Sequence, residues 1–299
     1  MIFSRHLARC IARRISVCAF AFALALSPAF ALDQAVGEAT RVVAIGGSIT
    51  EIVYELGRED RLVARDSTSQ YPIDVTELPD VGYMRALSPE GVLSIGPDLI
   101  IALEGAGPPE TIEVLKRAGV PIVLVPETYD RDGVVDKIEI VGRALGAEDE
   151  AAVMAKRVEA EIAEAQAVAA RSGHRPSVMF ILTVQDGRVM ASGTGTAANG
   201  IIALAGARNT VDAFEGYRQL TDEAIIEAAP DFRLIMDRGG DLEVSPGELS
   251  AIPAVASTPA GEAGRIIRMD GSYLLGFGPR TAAAVRGLAE VLHAETTGE

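Results

Sequence analysis

Short apolar runs alternate along this chain with stretches in which apolar residues return every three or four positions. RVVAI (Arg41–Ile45) reads as a buried strand. The GGS after it turns into the amphipathic stretch ITEIVYELG, where Thr50 and Glu51 suit a first helical turn and Gly57 a stop. RLVAR predicts a second strand. STSQYPIDVTELPDVGYM predicts a loop kept extended by Pro72 and Pro79. Ser88 as N-cap, Pro89 at the first helical position and Glu90 in the first turn open a helix. DLIIALE and PIVLVPE are further strands, with the helix PETIEVLKRAG between them. Strands alternating with helices predict a parallel sheet covered on both faces.

The pattern changes at AEDEAAVMAKRVEAEIAEAQAVAARSG. Val153, Met154, Val158, Ile162, Ala165 and Val168 recur at helical spacing, acids at 148–150 favour the start, and Arg171 and Gly173 favour the end. From Asp149 to Arg171 such a helix is about 34 Å long at 1.5 Å per residue, enough to run from one lobe to another. Strand and helix then alternate again through SVMFIL, RVMASG, TAANGIIALAGA, the loop FEGYRQL, TDEAIIEAAP, FRLIMD and RIIRMD. A last amphipathic helix covers Thr281–His293. The expected fold class is α/β, with two Rossmann-like lobes containing parallel sheets, joined by a single long bridging helix. A ligand cleft lies between lobes that hinge little. The expected boundaries are a first lobe at 32–146, the bridge at 147–172 and a second lobe at 173–299.

One segment is echoed. VGYMRALSPEGVLSIGPDLI (81–100) and GYRQLTDEAIIEAAPDFRLI (216–235) align at an offset of 133 residues. The offset sets Leu87 on Leu220, Glu90 on Glu223 and Leu99 on Phe232.

Composition adds a compartment. Arg5, Arg9, Arg13 and Arg14 precede the apolar run ISVCAFAFALAL, and Ala29-Phe30-Ala31 follows as a cleavage site, so 1–31 reads as a signal peptide on the general secretory route. Cys10 and Cys18 fall inside it, and Cys18 lacks the small preceding residue of a lipid-anchoring site. The exported chain then carries neither a disulfide nor a thiolate metal site. Cleavage removes four arginines and no acid, taking the net charge from −15 to −19. That balance argues against nucleic acid and anionic membrane surfaces as partners, and no other stretch is apolar enough to span a membrane.

AIGGSITEIVYELG, STSQYP, LPDVGYMRALSPEGVLSIGPDLIIA, GTGTAANGIIALAGA, GYRQL and LLGFGPRT together resemble the periplasmic haem-binding proteins of bacterial haem-uptake ABC transporters. These share the helix-bridged class with cobalamin and ferric-siderophore binders. The resemblance covers the chain after the signal peptide. It implies a monomeric periplasmic carrier, not an enzyme, that hands haem to an inner-membrane ABC permease. It also implies that Tyr83 of GYMR is the axial iron ligand. The chemistry agrees, because a phenolate oxygen suits ferric haem. A tyrosine with an ordinary pKa of about 10 needs help to ionise, which Arg85 can give by charge and hydrogen bonding.

The resemblance further implies an arginine near the iron from LIMDRGGD, which is Arg238 here. The internal echo places Tyr217 in the loop of the second lobe equivalent to that of Tyr83, as a residue expected to line the cleft. Some relatives add a histidine after the strand matching MFILTV, but this chain has Gln185-Asp186 there. Glu90 and Glu223, each heading the same helix of its lobe, are implied to dock into arginines of the permease. By themselves both are ordinary first-turn acids. Tyr71 reads as loop packing. Arg280 reads equally as a helix-start residue or a propionate partner. GGS and SGTGTAANG lack a full phosphate-loop spacing and read as strand-to-helix turns. His174 and His293 are too far apart in role to form a zinc or manganese site. Cobalamin or a ferric siderophore on the same fold is the nearest alternative ligand. A secreted α/β enzyme is the alternative of another class, though no nucleophile-and-base set supports it.

Overall fold

Val42–Ile45 and Leu99–Leu103 are buried at every residue, as unbroken apolar runs must be when helices cover both faces of a sheet. The computed structural model describes residues 38–171, 173–237 and 244–294. The expected signal peptide (1–31) and Arg238 lie outside those residues. The first sheet has the order β2-β1-β3-β4, comprising β1 (Val42–Ile45), β2 (Leu62–Arg65), β3 (Leu99–Leu103) and β4 (Ile122–Val125). All of its pairs are parallel. The connecting helices are α1 (Gly47–Glu55), α2 (Pro89–Ser94) and α3 (Pro109–Arg117). Ser88 caps α2 as expected, its hydroxyl accepting from Gly91 N at 3.2 Å. A further helix, α4 (Arg131–Ala144), buries Val134, Ile138 and Val141 on one face.

The long helix α5 spans Glu148–Ala170 and buries Met154, Val158, Ile162 and Ala165. It packs along α4 on one side and along the last helix, α12 (Thr281–Ala294), on the other. Gly142 makes the first crossing possible, since a Cβ there would stand 2.2 Å from the Ala151 methyl.

The second sheet runs β10-β9-β5-β6-β8. Its parallel part is β5 (Ser177–Gln185), β9 (Phe232–Asp237) and β10 (Ile266–Asp270), with the short β7 (Arg208–Asn209) also parallel to β5. The expectation of parallel pairing fits these strands, but β6 (Arg188–Ser192) and β8 (Tyr217–Gln219) add antiparallel pairs. Asp186-Gly187 is the reason. Two residues, at φ 50° and 72°, form a mirror-image hairpin turn, too short for any crossover. FEGYRQL, expected as loop, thus contributes an edge strand. The remaining helices are α6 (Ala197–Leu204), α7 (Asp222–Ala228), α8 (Pro246–Ser250), α9 (Pro253–Ala256), α10 (Pro259–Glu262) and α11 (Gly271–Leu275).

The internal echo is structural. Thr221 caps α7 as Ser88 caps α2, accepting from Ala224 N at 3.2 Å. Asp98, just before β3, accepts from the amides of Thr40 and Arg41 at 3.0 and 2.8 Å. Asp231, just before β9, accepts from the amide and hydroxyl of Ser177 at 2.8 and 2.7 Å. In each lobe one carboxylate ties the start of one strand to the start of its neighbour. Burial would raise both pKa values, but these donors outweigh it and hold both carboxyls below their usual range. A depressed folded pKa adds stability that is present above the unfolded value of about 3.9 and is lost as pH falls through the folded one. The double variant Asp98→Asn/Asp231→Asn is therefore expected to unfold at lower denaturant than the parent at neutral pH. The gap should narrow below about pH 4, as urea titrations across that range will show.

Candidate ligand-binding site

In open parallel sheets, ligands collect where strands end at their carboxyl edge. The chain leaving β1 and β4 at that edge meets the second lobe, through Ser48 and Glu51 after β1 and Tyr129 after β4. The loop bearing Tyr83 and Arg85 lies over it and is tied down on both sides. Val81 N donates to Arg65 O at 2.9 Å and Ser67 N to Gly82 O at 3.0 Å. Gly107 N donates to Met84 O, and Leu87 N to Gly107 O, both at 2.8 Å. A tight turn follows, with Ala86 N donating to Tyr83 O at 2.8 Å. Gly82 sits at φ 100°, a conformation that a side chain would resist. Met84 is buried and faces the core, so its neighbours Tyr83 and Arg85 both project outward. Tyr83 is 49% exposed. Arg85 forms no hydrogen bond or ion pair with any described residue. The sequence placed this pair correctly in one short loop.

The lobes also touch directly below the cleft. Arg280, just before α12, forks onto Glu51 of α1, with Nε and Nη2 donating to the two carboxylate oxygens at 2.9 and 2.6 Å. Its guanidinium lies 3.9 Å from the centre of the Tyr71 ring and 5.3 Å from that of Tyr273. Arg280 is thus a bridge between lobes, and Tyr71 packs against it. Phe277, held at the uncommon φ of 48°, sets its ring edge-on to Tyr129 with centroids 5.3 Å apart. Gly200 of α6 lets that contact close, because a Cβ there would lie 2.2 Å from Tyr129 O. Gly278 stands against Ser48 in the same way, at 3.1 Å.

Residues 42–273 match the periplasmic binding protein family. The chain belongs to that family. Among solved structures it is similar to a periplasmic haem-binding protein in complex with two haems, at 38% identity over 86% of this chain and 99% of that one, TM-score 0.81. It is equally similar to the apo form of a periplasmic haem-binding protein from Roseiflexus sp. RS-1, with 38% identity, the same coverage and TM-score 0.82. An uncharacterized ABC transporter substrate-binding lipoprotein of Bacillus subtilis is 30% identical over 88% of this chain and 82% of its own. A shorter likeness, 34% over 91 residues, links 30% of this chain to 32% of the vitamin B12-binding protein of Yersinia pestis. The family and these neighbours are substrate-binding proteins of ABC transporters, not enzymes.

In the second lobe, Tyr217 is half-buried on β8 with its ring edge-on to Phe180 at 6.4 Å. Sequence reasoning missed Tyr129, which lies between the lobes. Its hydroxyl donates to Glu127 Oε2 at 3.0 Å, and Lys137 Nζ stands 3.8 Å from Glu127 Oε1 and 3.2 Å from Ser48 Oγ. Burial first, then Glu127, pushes the Tyr129 pKa up; the charge of Arg85 opposes this and Tyr217 adds to it, so both lobes bear on one phenol. Burial lowers the Lys137 pKa to about 8, against the pull of Glu127 and Glu51. A signal was there to find. Lys137 interrupts the apolar stripe of α4 between Val134 and Val141, and a lysine there needs a buried partner. Among the described residues no three His, Cys, Asp or Glu side chains gather as a metal site, and no helix is long and apolar enough to cross a membrane.

Glu90 and Glu223 are exposed at the starts of α2 and α7. Their own backbone amides, then the hydroxyls of Ser88 and Thr221, hold both carboxyls below the usual range. They stand in equivalent places on the two lobes as lasting negative charges.

Glu51 is 6% exposed, and its burial raises its pKa against the opposing pull of Arg280. Arg280→Met therefore strands a buried carboxylate and is expected to cost about 3 kcal/mol of stability at neutral pH. Glu51→Gln added to it should recover much of the loss, since the stranded charge is gone. Urea unfolding of the parent and the two variants measures both effects.

Proposed function

We propose that this protein binds haem between its lobes and delivers it, in the periplasm, to an inner-membrane ABC importer. The observation that carries this reading is the Tyr83–Arg85 turn, which presents a phenol and an uncommitted cation side by side at the carboxyl edge of the first sheet. A ferric porphyrin brings four equatorial nitrogens of its own, so one phenolate suffices as the protein's ligand. Arg85 supports the phenolate or pairs with a propionate. Tyr217 faces the ligand from the second lobe, and Arg238 is assigned a place near the iron by the resemblance of LIMDRGGD. With no histidine at Gln185-Asp186, where the β5–β6 hairpin turns, the iron is five-coordinate through Tyr83. The likeness to haem-binding structures over 86% of the chain supports this reading over cobalamin, whose binder is matched along only 32% of its length. The protein works as a monomer, with Glu90 and Glu223 meeting the permease.

Purified protein titrated with ferric haem, and separately with cobalamin, decides between the ligands. A Soret band that grows and saturates with haem alone is the expected outcome. Tyr83→Phe should weaken ferric-haem binding on the order of 100-fold and alter the visible spectrum of whatever complex remains. An unchanged spectrum and affinity would remove Tyr83 as the ligand.

The docking role has its own readout. Glu90→Ala/Glu223→Ala is expected to keep its haem affinity while its stimulation of the importer's ATPase in proteoliposomes falls severalfold, because two charged contacts and their steering are lost. Full stimulation by the double variant would end that role.

A further inference from the structure

Two aspartates carry the rigidity of the first sheet out to Tyr83. Asp66, the residue after β2, is fully buried. Its Oδ1 accepts from Gly46 N, just after β1, at 2.9 Å and from Ser69 Oγ at 2.8 Å. Its Oδ2 accepts from the amide and hydroxyl of Thr68 at 3.0 and 2.7 Å. The chain leaving β2 is thereby registered on the end of β1. Asp80 extends the tie to the next loop. Its Oδ1 accepts from Ser67 Oγ at 3.0 Å and from Gly82 N at 2.8 Å, and its Oδ2 from Nη1 of the buried Arg65 at 3.2 Å.

Gly82 is where this matters, because it directly precedes Tyr83 and sits at φ 100°. A Cβ there would meet nothing within 4 Å, so no neighbour's bulk forces that conformation, and a glycine leaves it readily. The Asp80 side chain, bonded to the amide two residues on, closes a turn that holds it. An unpaired carboxylate so close in the chain to Tyr83 would oppose a phenolate there. Pairing with Arg65 offsets that charge, so the turn is held without it.

We infer that Asp80 is a positioning residue for ligand binding, whose carboxylate fixes the Gly82 turn and so sets where the Tyr83 phenol stands relative to the first sheet. The ligand's identity rests on the haem reading above; the link between Asp80 and Tyr83 does not.

Asp80→Ala separates position from charge by the sign of its effect. Removing a negative charge would by itself favour the phenolate and tighten ferric-haem binding, whereas a loosened turn weakens it. The expected outcome is binding about tenfold weaker, with an altered visible spectrum of the complex. In a Tyr83→Phe background the same change should cost nothing more, because Asp80 acts through Tyr83. Parental or tighter binding, a parental spectrum, or losses that simply add overturns the inference. Arg65→Met/Asp80→Ala removes both charges and carries the same test if a stranded Arg65 keeps the single variant from folding. A second measurement needs no haem. NMR relaxation should give lower backbone order at Gly82 and Tyr83 in Asp80→Ala than in the parent, and equal order overturns the link. If the parent takes up no haem but the order differs, the haem reading falls and the positioning role stands.

Discussion

Everything in this molecule depends on how two lobes, each with its own sheet, are held at a fixed separation. The bridging helix sets the distance along one side. The buried fork of Arg280 on Glu51 sets it below the cleft, between residues 229 positions apart in sequence. Taken alone, a buried ion pair is a doubtful source of net stability, since desolvating both partners offsets the attraction. Its value here is geometric. A bidentate pair flanked by the rings of Tyr71 and Tyr273 admits one arrangement, and the close approaches at Gly200 and Gly278 admit no sliding. Ligand groups from the two lobes can then face each other without being assembled by the ligand itself.

The same economy explains the placement of charge. Cations close to the cleft fall into two sets: Arg280 is committed to the buried Glu51 and the buried Lys137 to the half-buried Glu127, whereas Arg85 pairs with no described residue. Four of the acids with depressed pKa values divide likewise. Asp98 and Asp231 spend their charge on strand starts, and Glu90 and Glu223 keep theirs on the surface. Each lobe carries one of either kind.

Much of this was legible in the sequence because it is local. Strand runs such as LIIAL, the Ser88 cap and the period of α5 are short-range signals, and the offset of 133 residues carried the first lobe's logic to the second. The pairing direction of β6 escaped because the patterns of SVMFIL and RVMASG do not show that Asp186-Gly187 joins the two strands as a hairpin. The edge strand at Tyr217 escaped for the same reason, since its pairing depends on β6. Within the site, Tyr83 and Arg85 stood out as neighbours in one motif. Tyr129, Glu127 and Lys137 did not, because their relation exists only after α4 packs beneath the loop from β4. The Arg280 pairing with Glu51 is a contact across the whole chain, and no spacing announces it.

The hydrophobic interior has one more consequence. A single continuous cluster contains Val42 and Ile101 of the first sheet, Val158 and Ile162 of the bridge, Phe180 and Leu234 of the second sheet, and Leu288 of the last helix. A smaller cluster, around Ile181 and Val255, lies on the far side of the second sheet. Because the larger one is continuous across both sheets and the bridge, neither lobe can melt without exposing apolar surface of the other. The two halves of this duplicated architecture are thus one cooperative unit, and heat should unfold them in a single transition.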